Sequence, residues 1–182
     1  MSLLVVGSVA FDAIETPFGK TDKIIGGAAT YISIAASYFT KYVNLVGVVG
    51  EDFPQSDIET FRRHGINTDG LQIKKGEKSF FWSGKYHNDM NTRDTLVTEL
   101  NVLADFDPLL PGNYPESDYL MLGNLAPKTQ QTVIERMARR PKLIVMDTMN
   151  FWMDIALEDL KNTLKMVDVL TINDAEARQL SG

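Results

Sequence analysis

Thr171-Ile172-Asn173-Asp174-Ala175-Glu176-Ala177-Arg178-Gln179-Leu180-Ser181-Gly182 reads as the end of a buried strand running directly into a helix. The apolar run of residues 167–172 supplies the strand, and Asn173 or Asp174 is placed to cap the helix with Glu176 in its first turn. A strand that enters a helix through so short a turn is the unit of a parallel α/β sheet. In such sheets ligands collect at the carboxyl ends of the strands. Asn173 and Glu176 therefore stand where ligand or metal chemistry is done.

Working outward, the same alternation recurs. Residues 119–122 and 143–147 read as strands, and 127–139 and 156–165 as helices. Near the start, residues 3–9 form an apolar run broken at Gly7, the pattern of a strand covered on both faces. Residues 27–39 then predict a helix that is apolar nearly all round, 43–49 a second buried strand, and 54–64 a helix opened by Pro54 and closed by Gly65. The alternation lapses between residues 68 and 115. There 78–86 alternates in part and is rich in aromatics, and a polar stretch from Asn88 to Thr95 follows. With the short segments 12–16 and 23–25, this region is expected to form a few antiparallel strands outside the main sheet. The result would be a small lid built from about residues 12–25 and 71–98 of a single domain covering 1–182.

Composition narrows the function. With 182 residues, 44% of them hydrophobic, the chain can bury one core and little more. A net charge of -6 and the absence of any Lys/Arg block argue against nucleic acid or an anionic membrane as partner, so a small molecule is expected. There is no cysteine, which removes disulfides, thiolate metal sites and cysteine nucleophiles, and two distant histidines do not make a zinc site. No apolar run reaches the ~18 residues of a membrane span and no signal-peptide pattern opens the chain, so a soluble cytoplasmic protein is expected.

Several residues are candidates for chemistry. Gly26-Gly27 opens the first long helix, where paired glycines let backbone N–H groups approach a ligand oxygen, or simply make a tight turn. Asp12, just past the first strand, can accept hydrogen bonds from two sugar hydroxyls, or can be a solvated turn residue. Asp147 and Asn150 follow the 143–147 strand in the same manner, as ligand groups or as helix caps, and Asn124 is a candidate hydroxyl ligand after the 119–122 strand. Arg93, beside Asn88, Asp89 and Asn91 and the aromatics Phe80, Phe81, Trp82 and Tyr86, sits on a possible lid face that closes over a polyol, or in a solvated loop. His87 reads as a surface residue, and Phe151 and Trp152 as packing. Val46-Gly47-Val48-Val49-Gly50-Glu51-Asp52 has only two glycines, too few for a dinucleotide fingerprint, and Gly19-Lys20-Thr21 lacks the first glycine and following helix of a P-loop.

Together, Val6-Gly7-Ser8 through Asp12, Gly26-Gly27-Ala28-Ala29, Val46 to Asp52, Asp147 to Asn150 and the Asn-x-x-Glu pair Asn173/Glu176 resemble the ribokinase-like (PfkB) carbohydrate kinase family. The resemblance implies a three-layer α/β/α fold with a mainly parallel sheet and a small β lid, and an enzyme moving the γ-phosphoryl group of ATP to a hydroxyl of a sugar or nucleoside. By the same resemblance Asp12 and Gly26-Gly27 would bind the acceptor, and Asp147 and Asn150 would lie near its phosphate end. Asn173 and Glu176 would act on Mg²⁺ and phosphate, Glu176 through water. The lid would pair with a second subunit to form a homodimer.

Two departures stand out. Ala28 and Tyr31 occupy positions where several members carry Lys and Asn, which implies a more apolar acceptor pocket. The Gly-Ala-Gly-Asp segment that supplies an anion hole and the aspartate base occurs nowhere in the 182 residues. The C-terminal part of the fold is therefore expected to be missing and the chain inactive alone. The alternative is a non-catalytic sugar- or nucleoside-binding protein.

Overall fold

The computed structural model describes all of residues 1–182. The chain runs β1 (Leu3–Val6), β2 (Ala10–Thr16), β3 (Gly19–Gly26), α1 (Ala28–Ser37), β4 (Val43–Gly50), α2 (Gln55–Arg63), β5 (Ile66–Lys74), β6 (Phe80–Tyr86) and β7 (Arg93–Glu99). It continues through β8 (Tyr119–Leu122), α3 (Pro127–Glu135), β9 (Leu143–Asp147), α4 (Asn150–Ile155), α5 (Leu157–Leu164), β10 (Val169–Thr171) and α6 (Asp174–Ser181).

Six strands in the order β10-β9-β8-β1-β4-β5 make one sheet, and every neighbouring pair is parallel. Side chains alternate between its two faces, so the apolar runs of β1 and β4 feed two cores at once. Val5, Leu45 and Val49 pack with Ala29, Ile58 and Phe61 of α1 and α2 on one face. Leu4, Val6, Val46 and Val48 pack with Val133, Met153 and Leu160 of α3, α4 and α5 on the other. No helix is long and apolar enough to cross a membrane.

The second sheet, β3-β2-β6-β7, stands off the main one. Only the three residues Gly7-Ser8-Val9 separate β1 in the main sheet from β2 in the lid. The lid differs from the expected one in two respects. Residues 71–74 belong to β5, where Gln72 and Ile73 pair with Val48 and Val49, so the second lid segment starts at Phe80. The β2–β6 pair is parallel, with only the outer pairs β2–β3 and β6–β7 antiparallel.

The segment from Val46 to Asp52 fastens this lid. Asp52 accepts hydrogen bonds from both the backbone N–H and the hydroxyl of Ser79, each at 2.7 Å, and from Lys23 Nζ at 3.2 Å. Ser79 Oγ in turn accepts from the Gly50 N–H at 2.9 Å, and Glu51 accepts from the Gly76 N–H at 3.0 Å. Thus one carboxylate at the end of β4 ties together β3 and the entry to β6.

Gly27 takes φ 91°, and a methyl group there would strike the Ser8 carbonyl, whereas at Gly76, with φ 74°, nothing stands within 4 Å of the added carbon. Gly76→Ala should therefore cost only the backbone strain, about 1 kcal/mol, and Gly27→Ala about 3 kcal/mol because strain and collision add. Urea denaturation of the two variants checks the difference; equal midpoints would contradict the tight docking of α1.

Candidate functional site

An open cavity of about 590 Å³ lies between the carboxyl ends of β1, β8, β9 and β10 and the inner face of the lid. Its floor is Ser8, Asn124, Asp147, Thr148, Met149, Thr171 and Ile172, its near wall the N-terminus of α1, and its far end Asn173 and Glu176. The roof is Asp12, Phe80, Trp82, Tyr86 and Arg93. The roof residues share a face for a simple reason: alternate positions of a strand point the same way, and Asp12 pairs with Trp82 as Ala10 pairs with Phe80. Gly84, next on that face, has no side chain, and the Trp82 indole lies over the vacant position.

At the N-terminus of α1 two of the amides that could approach a ligand oxygen are taken up within the protein. Ser8 accepts the Ala28 N–H through its hydroxyl and the Ala29 N–H through its carbonyl, each at 3.0 Å. These first helical amides are thereby satisfied inside the protein. Gly26 does not line the cavity; its role is to make room, since a methyl group there would collide with the Asp12 carboxylate. Gly27 does line it.

Asp12 belongs to the lid strand β2 rather than to the mouth of β1. Burial alone pushes its pKa up to about 6, because no cation stands near to favour the charged form. Asp147, at the end of β9, is also raised to about 6, first by burial and then by the charge of Glu176, with the Thr148 and Asn124 backbone amides pulling the other way. Burial and then Asp12 likewise raise the phenol of Tyr31, whose hydroxyl donates to the Ile25 carbonyl at 3.3 Å.

Asn173 caps α6 through a reciprocal pair of bonds. Its side-chain oxygen accepts the Glu176 N–H at 2.9 Å, and the Glu176 carboxylate accepts the Asn173 N–H at 3.0 Å. One oxygen of each side chain is thus spent on the cap, which holds the remaining carboxylate oxygen of buried Glu176 in place beside Asp147. Asn150 stands outside the main cavity, in an adjoining groove with Arg93, Asn173 and Glu176. It is the first residue of α4, a six-residue helix.

Sequence reading missed Ser8, Thr148 and Met149 as lining residues. Ser8 had a signal in its position, directly after the glycine that ends the first apolar run. Thr148 and Met149 lie within the Asp147 to Asn150 segment but had no signal of their own.

Comparison with known proteins follows from this geometry. The sequence model of the pfkB family carbohydrate kinases matches residues 2–182. The cytidine kinase of Thermococcus kodakarensis is 25% identical over 186 residues, covering 100% of this chain and 65% of that protein. Among solved structures, the nucleoside kinase of Methanocaldococcus jannaschii, an archaeal member of the ribokinase family, superposes with TM-score 0.77 at 19% identity, over 100% of this chain and 64% of its own. The Burkholderia thailandensis nucleoside kinase in complex with inosine gives 0.80 at 15% identity, over 98% of this chain and 63% of its own. The Cryptococcus neoformans ribokinase in complex with ADP gives 0.79 at 19%, over 98% and 58%. These likenesses assign the ribokinase-like fold, and the chain spans less than two thirds of each of these relatives.

The raised carboxyls set a pH dependence. Each of Asp12 and Asp147 binds its proton more tightly in the folded state, near pH 6, than unfolded, near 3.8, so stability falls as pH rises from about 4 to about 6. Asp12→Asn and Asp147→Asn should each raise stability at pH 7 by about 1–2 kcal/mol, the solvent-screened part of the shift, and flatten that slope. Thermal melts from pH 4 to 7 measure it; a variant less stable than the parent at pH 7 would contradict the assignment.

Proposed function

Because this chain belongs to the pfkB family of carbohydrate kinases, we propose that its protein transfers the γ-phosphoryl group of ATP to a hydroxyl of a sugar or nucleoside in the cytoplasm. The observation that carries this reading is the lidded cavity with Asp12 at one end and the Asp147/Glu176 pair at the other. Asp12 has no cation beside it, and its two oxygens suit two acceptor hydroxyls, which are neutral donors. The aromatic roof of Phe80, Trp82 and Tyr86, with Tyr31 on the wall and Ala28 in place of a polar ligand, favours an acceptor with a flat apolar part, as a nucleoside has.

In the transfer, the acceptor oxygen attacks the γ-phosphorus, the bond to the ADP oxygen breaks, and the hydroxyl proton leaves to a base. These 182 residues contain no Gly-Ala-Gly-Asp segment, and we assign to them binding and orientation rather than deprotonation. The residues present fit Mg²⁺: Asp147 and Glu176 repel one another across the far end, and a divalent cation relieves that repulsion. Glu176, through water, with Asp147 nearby, would hold it beside the phosphates. When bound, the cation neutralises charge on the transferring group. Arg93, the one basic residue lining the cavity, can meet phosphate from the lid side.

The same reading makes the protein a homodimer through the lid. Phe81 and Trp82 are already half-buried within the subunit, whereas Leu96 and Val97 of β7 are 53% and 40% exposed on the open edge strand. β7 is the pairing surface we propose.

Assay of the gene product with a panel of sugars and nucleosides tests the proposal directly. Asp12→Asn should lower kcat/KM for the acceptor by about 100-fold, the loss of two charge-assisted bonds, with KM for ATP unchanged. No phosphoryl transfer to any member of the panel would sink it. Sedimentation should give a dimer for the parent and a monomer for Leu96→Glu; a monomeric parent would remove the dimer from the proposal.

A further inference from the structure

Asn124 is held by neighbours that have no part in the proposal so far. Its side-chain oxygen accepts a hydrogen bond from the indole N–H of Trp152 at 2.8 Å, and its side-chain nitrogen donates to the Met149 sulfur at 3.0 Å. An indole nitrogen can only donate, so the carboxamide atom facing it must be the oxygen. That contact fixes which end of the amide is which. The carbonyl is consumed, one N–H is directed at Met149, and the other N–H remains for the cavity that Asn124 lines.

Trp152 is well placed to set this orientation. It is buried, it stacks edge-on against Phe151 at 4.9 Å with planes 72° apart, and its own backbone N–H bonds to the Met149 carbonyl at 3.1 Å. Its helix is tied at the other end to the helix that bears Glu176, through Gln179 Nε2 and the Asp154 carboxylate at 2.7 Å. The main-chain N–H of Asn124 meanwhile supports the Asp147 carboxylate. Helix α4 thus connects the floor of the cavity to its far end.

We propose that Trp152 is a positioning residue that locks the Asn124 carboxamide as a hydrogen-bond donor toward the cavity. The acceptor molecule therefore presents to Asn124 an atom with a lone pair, such as a hydroxyl or carbonyl oxygen or an unprotonated ring nitrogen. A group that can only donate finds no partner there. This rests on the acceptor-cavity reading given above and adds to it the polarity of one contact.

Two measurements separate this proposal from that reading. The first needs no ligand: in the parent the Trp152 indole proton is protected from solvent exchange, and in Asn124→Ala it loses that protection. The second uses the kinase assay with Trp152→Phe, which keeps an aromatic ring and deletes the N–H. We expect acceptor KM to rise about 10-fold, with kcat and ATP KM each within about 2-fold. Asn124→Ala should do the same, and the double variant should be no worse than Asn124→Ala alone, because both substitutions remove one coupled interaction. Unaltered indole exchange in Asn124→Ala overturns the proposal, as do additive losses in the double variant or a Trp152→Phe effect that falls equally on ATP. If the parent phosphorylates no acceptor, the kinase reading falls, and indole exchange still decides whether Trp152 holds Asn124.

Discussion

The architecture depends on how closely one helix end approaches two strand ends. The N-terminus of α1 rests on the backbone of β1 and β8, with Gly7, Gly27 and Gly123 meeting where side chains would keep the elements apart. A carbon added at Gly7 would stand 3.1 Å from both the Ala29 methyl and the Gly123 Cα, and one at Gly123 would stand 3.1 Å from the Ala28 methyl. The Gly123 N–H bonds to the Val6 carbonyl at 2.7 Å, and Ser8 takes up the first helical amides. From this junction the chain diverges: β1 ends, the lid begins, and the space left between them is the cavity. Bulkier residues would push α1 outward and remove the wall that carries Ala28 and Tyr31.

Around that junction the protein keeps carboxylates in surroundings that oppose their ionisation. Several acidic residues elsewhere in the chain are ion-paired: Asp118, for example, is held down to about 2, first by its bond from Lys142 and also by the Ser2 amide. Asp12 and Asp147 have no cationic partner. The contrast separates carboxylates that are ion-paired from carboxylates left half-buried along a cavity. Glu176 closes the cap of α6 with one oxygen while its charge is felt at Asp147.

The strands that were legible in sequence are unbroken apolar runs. Tyr119–Leu122 and Leu143–Asp147 emerge at the expected residues, each a short apolar run bounded by turns and buried at alternate positions. β5 was hidden because it is the edge of the sheet, and Asn67-Thr68-Asp69-Gly70 interrupts its apolar pattern with residues that favour turns. β7 was obscure for the same reason in stronger form, being exposed along its whole length. Helix α4 has only six residues, too few to display a 3.6-residue period. For the site, the cap signature at Asn173 and Glu176 was readable because it is local. That Gly26 makes room for Asp12, that the Trp152 indole bonds to Asn124 and that Asn150 lies outside the main cavity are facts of juxtaposition, made by pairing and packing between distant segments, and local pattern does not encode them.

Asp12 rides on the roof, and only Gly7-Ser8-Val9 connect that strand to the floor. A molecule that bonds to Asp12 and also to Asn124 spans both sheets and staples one to the other. The placement of Asp12 on the lid sheet and of Asn124 on the main sheet thereby sets a minimum length for any single occupant that touches both.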